Sequence, residues 1–342
     1  VYEDSVPYTR VSYEPSPLDR QSAMQGTGMK WKQNTKAVNY SYYFNDTTTT
    51  CIKWKYIGAK FINAGTYKNG EVEIKETIDE DNNKTCEFTD KLGHKILSRK
   101  IDGEVNYDTY YLYDIFGNLR YVLPPAVPAG QINQISDDID AISKYAYVYG
   151  YDGSNHCIKK RLPGCTWQFM TYDNAGQQIL IQRSNSTCNF TIPDILGRPC
   201  VTGTCKGPLF IWSTGIPGIV VAERDNNATA YKGYNIKGIT LTDPVITKVM
   251  YYDDYDFMGC NGIPSSTDTS FIYRQYDGFG NRYTDSAKGL LTGSINTILD
   301  DASSITSYIR TINYYDQKGE LIQSTSDNQL GGMERTTTAY TF

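Results

Sequence analysis

Chemistry in this sequence would have to come from a short list of side chains. Histidine is scarce: His94 and His156 alone could serve as a general base near neutral pH. A serine- or cysteine-type triad would need one of them beside a nucleophile and an orienting acid. Both fall at or just after a short acidic turn that recurs along the chain, so the turn accounts for their position without catalysis. No GxSxG, P-loop or HExxH pattern occurs, and no catalytic or cofactor-binding residue is assigned. Two oxygen-rich runs have the composition of hard-cation ligands: Asp253, Asp254 and Asp256 in YYDDYDF, and Asp79, Asp81 and Asn83 in IDEDNNK. The second has Lys84 where a calcium loop needs glycine and no closing Glu, so a turn explains it better. The first three stay as weak metal candidates, and neither metal nor cofactor is expected. A carboxylate pair for glycoside hydrolysis is a distance in space, and no pair stands out in the sequence.

Eight cysteines stand at Cys51, Cys86, Cys157, Cys165, Cys188, Cys200, Cys205 and Cys260. None forms CxxC, and with so little histidine the usual zinc-finger pairings are excluded. Cys200 and Cys205 flank VTGT, a span a disulfide could close as a hairpin, and Cys157 and Cys165 bracket IKKRLPG. Burial as small hydrophobes is an equal alternative. Neither reading supplies chemistry.

The elements that must position these residues repeat. A phrase of Asp-x-x-Gly, usually with an aromatic before it and a strand-like run after it, recurs at Asp90 and Gly93, Asp114 and Gly117, Asp173 and Gly176, Asp194 and Gly197, Asp277 and Gly280, and Asp316 and Gly319. A looser copy at 149–164 puts Asn155 where Gly would sit. Asp accepts hydrogen bonds from backbone amides just ahead of it, and Gly tolerates positive φ, so each pair predicts a tight reversal between two strands. Tyr145, Tyr147, Tyr149 and Tyr151 alternate, as do Val72, Ile74 and Ile78 against Glu71, Glu73, Lys75 and Thr77, which is the period of strands buried on one face. Self-similarity at intervals of tens of residues marks units that cannot bury an apolar face alone and must stack.

These residues resemble the RHS or YD-repeat proteins, a family named for its Tyr-Asp dipeptide, and the likeness is closest to the large forms of Bacteroidetes. It is carried by the opening VYEDSVPYTRVSYEPSPLDRQSAMQGTG, EFTDKLGHKILSRK, VNYDTYYLYDIFGNLRYVLPP, MYYDDYDF and LIQSTSDNQLGG, spread over nearly the whole chain. The resemblance implies a strip of successive hairpins that spirals, in longer members, into a hollow shell around a C-terminal toxin, or serves cell-surface contact. It makes YYDDYDF a recurrent structural phrase. Complete shells of the family end in a DPxG-type self-cleavage segment and a variable effector. The only Asp-Pro here, Asp243-Pro244, is followed by Val245 and Ile246, so autoprotease and toxin parts are not recognisable.

Composition agrees with an extracellular β-protein: 30 Tyr, 29 Gly and 13 Pro in 342 residues, with mean hydropathy −0.49. A net charge of −5 removes the electrostatic case for nucleic acid or an anionic membrane as partner, and no apolar run approaches membrane-spanning length. The chain starts at Val1 with neither initiator Met nor signal segment, which suggests a processed export product or a piece of something longer.

The expected architecture is all-β: antiparallel hairpins in a YD-repeat strip or partial spiral shell, with one short amphipathic helix near 130–144, where Ile132, Ile135, Ile139 and Ile142 form an apolar stripe. The expected organisation is an N-terminal cap or lead-in at 1–50, a first repeat block at 51–205, an irregular insertion at 206–248 and a second block at 249–342 that continues beyond the C-terminus. Function then reads as a noncatalytic scaffold segment of an exported or surface-displayed protein, with other regions of the same polypeptide as partners. The alternative is a surface module in which exposed Tyr and Trp, with Trp31, Trp54, Trp167 and Trp212 as candidates, bind a protein or glycan. An enzyme is third and not expected.

Overall fold

The computed structural model describes residues 6–33, 36–182, 187–207, 214–284, 286–300 and 305–340. They fall into two compact units, Val1–Trp167 and Gln168–Phe342, with the division inside the expected first repeat block.

In the first unit the strands are β1 (Arg10–Tyr13), β2 (Gln21–Gln25), β3 (Val38–Phe44), β4 (Ile52–Ile57), β5 (Lys60–Thr66), β6 (Glu73–Ile78), β7 (Lys84–Thr89), β8 (Lys95–Asp102), β9 (Val105–Tyr113), β10 (Leu119–Leu123), β11 (Tyr147–Tyr151) and β12 (Cys157–Arg161). All but β4 and β5 pair antiparallel in chain order, as one open sheet. Among the strands, the hairpin of β4 and β5 pairs only with itself, and its β5 edge takes a bridge from Gln134. Together with residues 124–146 it covers one face of the sheet, where Phe61, Val127, Ile132, Ile135 and Ile142 meet Ile74, Phe88, Leu97, Leu112 and Leu123. Each large side chain removed from water there contributes about 1.5–3 kcal/mol before the entropy of ordering it.

The second unit continues with β13 (Gln168–Tyr172), β14 (Gln178–Gln182), β15 (Thr187–Pro193), β16 (Pro199–Lys206), β17 (Val221–Arg224), β18 (Tyr234–Lys237), β19 (Thr242–Asp253), β20 (Ala287–Leu299), β21 (Ile305–Tyr315), β22 (Leu321–Asp327) and β23 (Met333–Thr337). Its plan is the same: an open antiparallel sheet, from which the hairpin of β17 and β18 is set apart. That hairpin and residues 255–273 supply Ala222, Tyr234, Phe257, Ile263 and Phe271 to a core with Phe190, Val201, Val249, Tyr251, Ile295 and Tyr314. Gly203 is needed opposite Phe190, because a Cβ on it would lie 2.7 Å from that ring and 2.2 Å from the Val245 carbonyl oxygen. The expected insertion at 206–248 contains this hairpin and the first half of β19; the apolar run GPLFIWSTGIPGIVV lies partly outside the described residues.

The recurrent turn has one construction. At Asp90, Asp114, Asp173, Asp194 and Asp316 the Asp N–H donates to the carbonyl four residues on, and the Gly N–H donates back to the Asp carbonyl. The ladder shifts register by one residue just before each Asp, so each is a turn closed by a bulge with Gly in the left-handed region. Asp152 makes the same turn with Asn155 at φ 64°. The sixth expected turn differs: Gly278 rather than Gly280 holds the positive φ, and no strand flanks Asp277. The reason is topological, since 276–281 lies on the excursion between β19 and β20.

The helix expected near 130–144 is shorter than its stripe. A 3-10 turn covers Ala129–Gln131 and a helix α2 only Asp140–Tyr145; a further short helix α1 spans Met29–Gln33. Between the two elements near 130–144 the backbone is extended enough for Ile135 N–H to donate to Phe61 O and Asn63 N–H to Asn133 O, so edge pairing with β5 wins over helix there. Ile132, Ile135 and Ile142 are buried all the same.

Candidate functional site

In a meander, alternate turns share one edge, which gathers the Asp90, Asp114 and Asp152 turns in the first unit and the Asp173, Asp194 and Asp316 turns in the second. In all six, Asp Oδ1 accepts from the N–H groups two and four residues ahead at 2.8–3.0 Å. These carboxylates are thereby held as backbone acceptors.

The side chain just after the Gly position reaches the neighbouring turn. His94 stacks on Tyr113 with ring centroids 4.6 Å apart, and its Nε2 would lie 3.3 Å from a Cβ on Gly117. Asn118 donates to Asn155 Oδ1 at 2.9 Å, and Gln177 closes over Gly197. Arg198 reaches Asp253 at the end of β19, donating from both terminal nitrogens at 2.9 and 2.6 Å while its Nε donates to Asp194 at 2.7 Å. Sequence reading missed this rung. Its signal was available: the position is polar in every copy, as His94, Asn118, His156, Gln177, Arg198 and Glu320.

The histidines belong to this edge. His94 Nδ1 lies 3.3 Å from Asp90 Oδ2, and His156 Nδ1 lies 3.0 Å from Asp152 Oδ2, each on the Asp of its own turn. His94 and Asp90 also line a small cleft of about 170 Å³ with Trp54, Tyr67, Tyr111 and Asp114.

A cleft of about 430 Å³ in the second unit is lined by Asp194, Arg198, Cys200, Glu223, Arg224, Tyr234, Tyr252, Asp253 and Asp254, among others. Hydrogen bonding to Arg198 holds the Asp253 carboxyl below its usual range, and Asp253 in turn raises Arg198. Burial pushes the Cys200 thiol up to about 11 and raises the Tyr234 phenol. The thiol is therefore protonated at neutral pH and is a poor nucleophile. Arg224 lies over Tyr251 at 4.7 Å, donates from Nε to Asn226 and places Nη2 3.9 Å from Asp254 Oδ1. The cleft offers fixed charge and aromatic walls. A third, of about 490 Å³, is lined by Tyr255, Tyr273, Gln275, Arg282 and Tyr314, with Arg282 stacked 4.5 Å from Tyr255 and 4.7 Å from Tyr314.

The weak metal candidates do not converge. Asp253 is taken by Arg198 and by the Gly289 N–H at 2.7 Å, and Asp254 accepts from the Asp256 N–H at 3.0 Å. Among the described residues no three His, Cys, Asp or Glu side chains gather as a metal site. Asp79 makes another repeat-type turn, accepting from the N–H groups of Asp81 and Asn83. All eight cysteines are thiols, and β16 places Cys205 opposite Cys188, across the hairpin rather than beside Cys200. Of the tryptophans, Trp31 is exposed, Trp54 packs on the first core, Trp167 does so beneath Lys159 and Arg161, and Trp212 lies outside the described residues. Tyr147, Tyr149 and Tyr151 share the face of β11 opposite Val148, whereas Tyr145 belongs to α2. No described helix is long and apolar enough to cross a membrane.

No family model matches the chain, and no curated protein matches it. Among solved structures it is similar to a crystal structure of TcdB2-TccC3, at 13% identity over 92% of this chain and a TM-score of 0.42. It is also similar to TcdB2-TccC3 without its hypervariable C-terminal region, at 12% identity over 93% of this chain and 0.41. A Photorhabdus luminescens Tc holotoxin pore with a mutated TccC3 gives 13% identity over 95% and 0.41. The chain spans 15% of the length of each of these. Superpositions this loose assign nothing to the clefts described above.

Proposed function

We propose that this chain is a noncatalytic scaffold segment of an exported or surface-displayed YD-repeat protein, and that it helps enclose or present another region of the same polypeptide. The observation that carries this reading is the turn edge. Six carboxylates, each spent on two backbone amides, and side chains bridging from one turn to the next use for construction the groups that would otherwise do chemistry. Within each unit such an edge ties together hairpins that would be marginal alone.

The test is protease protection in the natural full-length polypeptide. Regions flanking this segment resist a broad-specificity protease in the intact protein and become sensitive when Gly117→Val and Gly197→Val loosen the turn edge. Flanking regions that digest at the same rate in both proteins refute enclosure. Labelling of intact producing cells with an impermeant amine reagent tests export: the segment's lysines react if it is displayed, and their silence while a surface control reacts removes that part of the reading.

A further inference from the structure

We infer that Cys188 and Cys205 form a cross-strand dithiol that closes to a disulfide when the protein meets an oxidant of the small-molecule disulfide class. The two residues are directly opposed in the β15–β16 ladder and both point into the core, with exposures of 0% and 3%. Directly opposed residues of an antiparallel pair have Cα atoms about 4.5–5.5 Å apart, inside the range of about 4.4–6.8 Å that a disulfide spans. Cys200 cannot substitute, because it lies on the same strand as Cys205, and Val201, Thr202 and Thr204 between them are each paired with β15.

Burial first, and then the neighbouring Cys188 thiol, raise the Cys205 thiol to about 11. Exchange runs through the thiolate, so the closed core keeps the pair reduced at neutral pH unless the hairpin opens. An opening lies close at hand. The pair sits next to Thr187 and Lys206, the last rung of the β15–β16 ladder, where both side chains are exposed; Cys188 is also paired with Gln182 of β14 and Lys206 with Thr242 of β19, so access requires that end of the sheet to fray. With a small-molecule disulfide the step balances as two exchanges: one protein thiolate displaces a small thiolate to give a mixed disulfide, and the second protein thiolate displaces the other. Two protein thiols are oxidised and one disulfide becomes two thiols. The pair thus fits a protein that folds reduced and is locked after export.

The experiment is differential alkylation of the folded chain. Protein is held at pH 8.5 with oxidised glutathione, acid-quenched, unfolded in denaturant and alkylated with one reagent, then reduced and alkylated with a second. Fragment-ion mapping within 184–206 then assigns each label. Cys188 and Cys205 should carry the second label together, and the intact mass before reduction should fall by about 2 Da, the loss of two hydrogens on disulfide formation. The oxidised chain should melt several degrees higher than the reduced one, because the bond restricts the unfolded ensemble. Cys200→Ala should keep the link, while Cys205→Ala should return Cys188 to the first label. First label on both residues in the unsubstituted chain overturns the proposal, as does second label shared between Cys200 and Cys205 or between Cys157 and Cys165.

Discussion

Gly117→Val isolates what the repeat turn demands of its backbone. Gly117 sits at φ 80°, where a β-branched residue is strained by roughly 1–3 kcal/mol. A Cβ there also meets His94 Nε2 at 3.3 Å, and that ring has little room to move, being stacked on Tyr113 and held near Asp90. Gly93 is the internal control: its φ is 84°, and a Cβ on it would meet nothing within 4 Å, so Gly93→Val reports backbone strain alone. We expect Gly93→Val to cost roughly 1–2 kcal/mol and Gly117→Val about 1 kcal/mol more. Each kcal/mol lowers Tm by about 2–4 °C in a unit of this size. Urea unfolding followed by tyrosine and tryptophan fluorescence, with midpoints compared at constant slope, measures both. Placing each Val in a His94→Ala background should shrink the difference between them, since the ring that resists is gone. An unchanged midpoint for Gly117→Val would mean that the turn does not hold it at positive φ. A difference that survives His94→Ala would mean that the rung between turns has no energetic weight.

Asp114→Ala removes the oxygen that accepts two 3.0 Å hydrogen bonds, from a residue only 8% exposed, and should cost about 1–3 kcal/mol by urea unfolding, more than Asp316→Ala in a wetter turn. Asp108→Ala leaves the Arg99 guanidinium, now bound at 2.7 and 2.8 Å, buried without its carboxylate; a loss of about 3 kcal/mol is expected, and a loss below 1 would show that water reaches the arginine. Because Arg198 lowers Asp253 in the folded state, that pair contributes stability above the unfolded carboxyl range, near pH 4, and loses it as pH falls through the lower folded value. Arg198→Met should flatten the stability profile in that acid window and leave its slope near neutrality unchanged. Melting with and without EDTA should coincide; a drop restored by calcium would make the acidic turns ligands.

Much of the fold is legible because its signals are local. An Asp, a Gly three residues on and alternating apolar positions on either side determine a turn and two half-buried strands without reference to the rest of the chain. What was not legible depends on partners distant in sequence. The stripe Ile132, Ile135, Ile139 and Ile142 satisfies helical spacing, yet the backbone of 132–135 finds β5 some seventy residues earlier and pairs with its edge. Cys200 and Cys205 are close enough in sequence to suggest a bridge across VTGT, but the ladder places Cys188, not Cys200, opposite Cys205. The cleft near Arg198 was invisible for the same reason: Asp194, Arg224 and Asp253 come from three separate strands or turns.

The excursion after β19 shows how the edge survives an interruption of its own rule. At Asp253 the register calls for another turn, and the residue has the acidic side chain but no Gly three positions on; its own φ is 76°. The chain leaves the sheet there and returns only at Ala287, which pairs with Asp253. What would have been a local turn is rebuilt from distant pieces: Asp253 accepts from the Gly289 N–H on the returning strand and is gripped from the preceding turn by Arg198. The Tyr-Asp phrase at 276–281 is carried out on the excursion, where Tyr273 donates to Gly280 O and Gln275 to Phe279 O, and Gln323 of β22 tethers the loop at Arg274. Sequence similarity to the repeat therefore places a turn, but strands on both sides are required to make it a rung. A carboxylate in the right register can keep the edge continuous with no Gly three residues on, the Gly289 N–H of the returning strand serving instead.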